Sequence, residues 1–265
     1  MLNLLRADFY KLKRSKAFWI CAVVGVVIAV LMVVALNAFI TRGLSRGPSS
    51  RGYADVQAMQ AAASVIWAIP QFLSQNFLIL LAGVFTSVFI TDEFANGTIK
   101  NTLSCGAERN KVLASKFLVS SVASLFIFAT SIVALVVAGS IVWGFDPQGA
   151  STAGGFTGMI GLEALLMVGF VALFTFIGMT VRSTGGALAT TIIATMMVST
   201  LLSALNALFN TTVDLSQYWL GGAVATLATT SPASGDVIRG VLVAFIWGAV
   251  SLVAGAALFT KRDVK

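Results

Sequence analysis

Six apolar stretches, each about as long as a helix needs to cross a bilayer core, divide this chain and leave room for little else. An α-helix rises 1.5 Å per residue, so about 20 apolar residues span the hydrocarbon. The stretches are 17–40, 73–91, 117–143, 157–181, 187–209 and 237–259, and none contains proline. None shows a long polar–apolar alternation, which argues for helices over a transmembrane barrel. Composition agrees: 58% of the 265 residues are hydrophobic and 10% charged, against about 25% charge in a soluble domain. Such a chain cannot cover itself with polar surface, so lipid is its solvent. The first stretch is too long for a signal-peptide apolar region and reads as a retained span. The expected fold class is an all-α polytopic membrane protein with six transmembrane helices, forming a single domain over 1–265.

Lysine and arginine set the expected orientation. With the N-terminus inside, the inner segments hold Arg6, Lys11, Lys13, Arg14, Lys16, Lys100, Arg109, Lys111, Lys116, Arg182, Lys261, Arg262 and Lys265. The outer segments hold only Arg42, Arg46, Arg51 and Arg239. Both termini are then cytoplasmic. The net charge of +7 is assigned to lipid headgroups and not to nucleic acid, because the bases flank apolar spans. The chain has no histidine, and its two cysteines, Cys21 and Cys105, fall at or near the side where thiols stay reduced. No disulfide, His-based metal site or catalytic constellation is expected.

The outer segments differ in character. Residues 41–72 open with Gly, Ser and Arg, and their second half, VQAMQAAASVIWAIP, suggests a short interfacial helix. A Gly-rich turn covers 144–156, and 210–236 carries a Ser231–Pro232 turn. Trp67, Trp143, Tyr218 and Trp219 suit the outer interface and Trp19 the inner one. In the sixth span Gly240, Ala244 and Gly248 recur every fourth residue, a pattern that suits close packing within the chain.

Two polar regions stand out on the inner side. In the arm 1–16, Leu2, Leu5, Phe9 and Leu12 fall on one helical face, with Arg6, Asp8, Lys11, Lys13 and Arg14 over the remainder. This predicts an amphipathic helix in the inner headgroup layer. Between the second and third spans lies DEFANGTIKNTLSCGAERNKVLASK, residues 92–116. Asn96-Gly97-Thr98 reads as a turn opening a short helix, Ile99 and Leu103 form its small apolar face, and Ser104-Cys105-Gly106 breaks it. A short helix held between two spans can take force from a soluble partner and pass it to both.

This run resembles the permease subunits of ABC-2 type ABC transporters. The pattern is E-F-x-N-G-T-I-K-N-x-L-S-x-G-x-x-R-x-K-x-x-x-x-K. It is carried by Glu93, Phe94, Asn96, Gly97, Thr98, Ile99, Lys100, Asn101, Leu103, Ser104, Gly106, Arg109, Lys111 and Lys116. The arm LLRADFYKLKRSKAFW looks like the family's interfacial elbow helix, and ALFTKRDVK is similar to its usual ending. The small permeases of lantibiotic-immunity and bacitracin-type exporters are the relatives it looks like, with Gly106 a departure where many members have proline. The resemblance implies a cytoplasmic coupling helix at Asn96–Cys105, with Glu93 and Gly97 setting its start. It also implies two copies of a cytoplasmic ATPase subunit and a second permease chain, identical or homologous, met through the first and fifth spans. The place would be a bacterial cytoplasmic membrane, and the cargo an exported amphipathic compound such as a peptide antibiotic. No G-x-x-x-x-G-K-[ST] occurs in the chain, so ATP and Mg would sit on the partner. The loop Arg182–Gly186 offers a second, smaller contact.

Polar residues inside the spans supply the remaining candidates. Glu163 is an acid inside an apolar run, about two turns from the outer end of the fourth span, and Asn37 and Asn206 lie at similar depth. These three would line an outward substrate path or outer gate. Alternatively, Glu163 sits near the headgroups, protonated or bonded to a neighbouring helix. Two other function classes stay open. An ion-coupled secondary transporter needs charged groups at mid-membrane, where only an off-centre Glu163 offers itself. A non-transporting anchor would tolerate changes at Glu93 or Gly97.

Overall fold

Backbone N–H and C=O groups in hydrocarbon must be paired inside the chain, and the fold meets that demand with helices. A computed structural model describes residues 2–45, 55, 65–104, 106, 108–143, 153–209, 215–228 and 233–261. Helix α1 (Leu2–Arg14) leads into α2 (Lys16–Ser45), followed by α3 (Val65–Ser74), α4 (Phe77–Ala95) and the short α5 (Thr98–Ser104). Then come α6 (Arg109–Trp143), α7 (Ala153–Val181), α8 (Thr184–Ile192), a π-helical turn (Ile193–Met197) and α9 (Val198–Phe209). A 3-10 turn (Leu215–Tyr218), α10 (Leu220–Leu227) and α11 (Ser234–Lys261) follow. Among the described residues six helices are long and apolar enough to cross a membrane: α2, α4, α6, α7, the continuous α8–α9 helix and α11. The chain is an all-α polytopic membrane protein.

The second span begins at Phe77 and not at 73. Asn76 adopts the left-handed conformation (φ 58°), which ends α3 and starts α4 in a new direction. Leu73 and Ser74 therefore belong to α3. The expected interfacial helix is also different. Residues 56–64 lie outside the described residues, and the chain from Val65 onward forms α3. Its Ala68, Ile69, Phe72 and Leu73 are buried, against α6, α10, α2 and α4. A short run this apolar packs into the core when neighbours offer a surface.

Helices α4 and α7 form the centre. Helix α7 packs along α11, α4 and α6, and α2 packs along α6. Small residues permit the close approaches. A Cβ on Gly169 would lie 3.2 Å from the Ala244 carbonyl oxygen, and Gly248 faces Gly169. Gly240 meets Leu227 of α10, whereas Gly161 faces open space. At the end opposite α1, Trp219 is buried, in edge contact with Phe170 (6.3 Å) and Trp247 (4.8 Å). The sequence assigns Trp219 to the outer interface. Helix α10 folds back against α11 and α7 and carries the indole inward, while Tyr218 stays exposed. The 144–152 turn, Ser231–Pro232 and the last four residues fall outside the described residues.

Gly83 offers a test of the central packing. A Cβ there collides with Thr191 Cγ2 and comes within 2.9 Å of the Phe174 ring. Thr191 cannot turn away cheaply, because it is β-branched and its hydroxyl lies 2.9 Å from that of Ser87. Gly83→Val should cost about 1–3 kcal/mol, seen as a lower unfolding midpoint in detergent. An unchanged or raised midpoint would contradict this packing.

Candidate functional site

The basic end of the bundle gathers α1, the end of α4, α5, the start of α6 and the end of α11. Its geometry begins where α4 stops. Asn96 N–H donates to the Asp92 carbonyl and Gly97 N–H to that of Phe94. Gly97 takes φ 66°, a conformation glycine adopts without a Cβ clash, so it closes the helix. Thr98 Oγ1 then donates to the Glu93 carbonyl (3.2 Å) as α5 starts.

Helix α5 is anchored by one side chain above all. Ile99 is 1% exposed and joins a core with Leu12 of α1, Phe18 of α2, Phe85 and Phe89 of α4 and Phe259 of α11. Asp92, Asn96, Asn101, Ser104, Gly106 and Glu108 are exposed around it. The loop thus buries an apolar point and presents a polar rim. Cys105 lies outside the described residues, as do the side chains of Lys100 and Leu103.

Beneath α5 is a buried ion cluster. Lys116 Nζ donates to Asp8 Oδ1 and to Glu93 Oε1, both at 2.6 Å. Ser115 Oγ donates to Asp8 Oδ2 at 2.6 Å. Lys11 Nζ reaches Glu93 Oε1 from the half-exposed rim at 2.9 Å. Lys116 also sits 5.0 Å from the centre of the Phe89 ring, a favourable place for a desolvated cation. A cavity of about 40 Å³ beside Asp8, Glu93, Thr102 and Lys116 has room for one water.

Other motif residues are committed to the frame. Arg109 Nη1 donates to the carbonyls of Phe259 and Thr260, each at 2.9 Å, supplying donors where the end of α11 lacks them. Arg182 stacks on Phe94 at 5.4 Å. The Thr91 and Thr184 hydroxyls are 3.0 Å apart, so the 182–184 turn is tied to the end of α4.

The structure therefore brings Glu93, Phe94, Gly97, Thr98, Ile99 and Arg109 into one assembly, with Asn96, Asn101, Ser104 and Gly106 on its outer face. Sequence reasoning overlooked Asp8 and Ser115. It placed Asp8 on the solvent face of the arm, but Asp8 is 3% exposed and faces the bundle. The available signal was its sign: it is the lone acid among the bases of that arm.

The outer candidates do not converge in this way. Asn37 is half-buried on α2, which packs on α6, α4 and α3. Glu163 is buried on α7, and its Oε1 accepts no hydrogen bond. Asn206 on α9 uses Oδ1 to accept from the Leu215 N–H (3.2 Å), bracing the 3-10 turn. Among the described residues no group of Cys, Asp and Glu side chains is arranged to hold a metal. The chemistry at the basic end is ion pairing and packing, suited to holding a surface in place.

A search of curated proteins finds no match. The family model described as ABC-2 family transporter protein matches residues 4–199. That stretch runs from α1 into the start of α9, includes the whole ion cluster and α5, and takes in well over half the chain. Proteins of this family are membrane components of ABC transporters without an ATP-binding domain of their own. The chain belongs to the ABC-2 transporter family of membrane proteins.

Proposed function

We propose that this chain is the permease subunit of an ATP-driven exporter in a bacterial cytoplasmic membrane, with both termini in the cytoplasm. A separate ATPase, in two copies and carrying ATP and Mg, docks on the polar rim of α5. The observation that carries this reading is the way α5 is held. Ile99 seats it in a core shared by six other helices, and Lys116 of α6 ties α1 to α4 beneath it. A push on Asn96, Asn101 and Ser104 is thus delivered to α4 and α6 together. Arg109 extends it to α11, and Phe94 to the end of α7 through Arg182. Such a joint transmits displacement because its members cannot slip independently.

A second permease chain, identical or homologous, completes the transport path. Helix α9 has no buried residue of its own, which supports the fifth span as part of that contact. Export of an amphipathic compound, a peptide antibiotic among the candidates, suits a path between two such chains.

Two measurements bear on this. The tagged protein, purified from its native membrane in mild detergent, should bring down a stoichiometric soluble ATPase. Asn101→Arg with Ser104→Arg should abolish that capture while shifting the unfolding midpoint little, because both positions are exposed. Full capture by the double variant, or no ATPase with the wild type under several gentle conditions, would refute the docking site. Separately, Lys116→Met leaves Asp8 buried without a cation and Glu93 with only the half-exposed Lys11, a loss of about 3–5 kcal/mol. Adding Asp8→Asn and Glu93→Gln should restore much of the lost midpoint. A single variant as stable as the wild type would show that the cluster does not hold the joint.

A further inference from the structure

The sequence turns a stripe of Leu2, Leu5, Phe9 and Leu12 toward the headgroups. The fold commits part of that stripe to the protein interior. Leu12 is buried in the inner core and Leu5 packs against it. Asp8, on the same side of α1, bonds Lys116 and Ser115. Phe9 stays exposed, and the Leu2 side chain falls outside the described residues. The side of α1 that can meet lipid is therefore a different one.

That side carries Arg6, Phe9, Tyr10 and Lys13, spaced i, i+3, i+4 and i+7 along the helix, and all four are exposed. Among the described residues no carboxylate pairs with Arg6 or Lys13. The arm's one acid, Asp8, is turned inward, so the outward charge is all positive. Arg14 lies over the Tyr10 ring at 5.5 Å and donates to its hydroxyl at 2.9 Å. Trp19, in the first turn of α2, donates its indole N–H to the Lys13 carbonyl at 3.1 Å, which holds that ring beside the end of the face. Tyr10 is 61% exposed and Trp19 50%. Rings this open, set among unpaired cations, match a headgroup layer, where the ring body meets carbon and the polar edge meets water.

The position of the face agrees. The first span begins at Lys16, two residues after α1 ends. Helix α1 therefore lies at the edge of the hydrocarbon and not within it.

We propose that the Arg6–Phe9–Tyr10–Lys13 face of α1 binds the headgroup of an anionic phospholipid. Arg6 and Lys13 donate to its phosphate oxygens, and Phe9, Tyr10 and Trp19 rest on the adjoining glycerol and upper acyl carbons. Charge complementarity selects this occupant. A zwitterionic headgroup brings its own cation beside Arg6 and Lys13, and a free phosphate leaves the exposed rings in water. The inference stands apart from the permease reading, since it needs no ATPase and no cargo.

The test uses the full chain in dodecyl maltoside micelles with a trace of phosphatidylglycerol carrying a diazirine near its headgroup. Labels should map to 6–19. Added phosphatidylglycerol should displace the label about tenfold better than phosphatidylcholine, and salt should shrink that preference. Arg6→Gln with Lys13→Gln should erase the preference, whereas Arg6→Lys with Lys13→Arg should keep it. Equal displacement by the two lipids in the wild type, or a preference that survives the Gln pair, would overturn the proposal. Inorganic phosphate displacing the label as well as phosphatidylglycerol does would overturn it too, by showing an anion site and not a lipid site. If the Gln pair does not fold, the wild-type comparison decides alone. Loss of ATPase capture in the Gln pair, with no lipid preference in the wild type, would assign the face to a protein partner and reject the lipid.

Discussion

A single ammonium organises the basic end of this protein. Lys116 lies under α5 with its charge removed from water, and it is stable there because Asp8 and Glu93 both reach it at 2.6 Å. The three residues come from α6, α1 and α4. Burying them costs desolvation that their attraction largely offsets. The gain is therefore in geometry more than in stability: the three charges are satisfied only while α1, α4 and α6 keep this contact. Helix α1 cannot lift, α4 cannot rotate and α6 cannot slide without separating buried charges.

The rest of the bundle is assembled by a different force. Helices in lipid gain little from hiding apolar surface, so they associate through close backbone contact and internal hydrogen bonds. Gly83 and Gly169 mark where side chains had to be absent. The Ser87–Thr191 and Thr91–Thr184 contacts join α4 to α8. Beyond the π turn this attachment ends. Helix α8 packs on α4 and α7, whereas α9 makes its contacts with the 3-10 turn and α10. A π turn shifts the faces of the helix that follows it, which lets one span serve the packed core at one end and an outer surface at the other.

The family match and the packed inner half of the bundle cover largely the same stretch of chain. The matched stretch ends where α9 begins, so it contains the ion cluster and α5 but neither α10 nor the end of α11 that Arg109 holds. The local turn chemistry of the run after Glu93 produces α5: glycine at the left-handed position and threonine at the start. Long-range ion pairs then give it a fixed seat. A surface presented this way can be gripped without unfolding, which a flexible loop of the same composition could not offer.

Sequence alone determined the number of spans, their approximate limits, the helical arm and the short helix at 98–104. Each is a local property, set by hydrophobic run length, helical period or turn residues, and lipid enforces these with few exceptions. It also marked Glu93, Gly97 and Ile99 as special. Tertiary structure alone decided what those residues do, because burial and charge pairing depend on segments far apart in the chain. Glu93 was read as setting the start of the short helix, and it is bonded to Lys116 beneath that helix. Asp8 was placed on a solvent face and is a buried partner. Arg109 drew notice as a base of the motif, and its partners, the carbonyls at the end of α11, lie about 150 residues away in the chain. Trp219 and the α3 segment were assigned to the membrane interface and lie in the core, since short apolar segments carry no periodic signal that separates an interface from an interior. A sequence records which residues want to leave water, and only the packed chain records against which neighbours they do so.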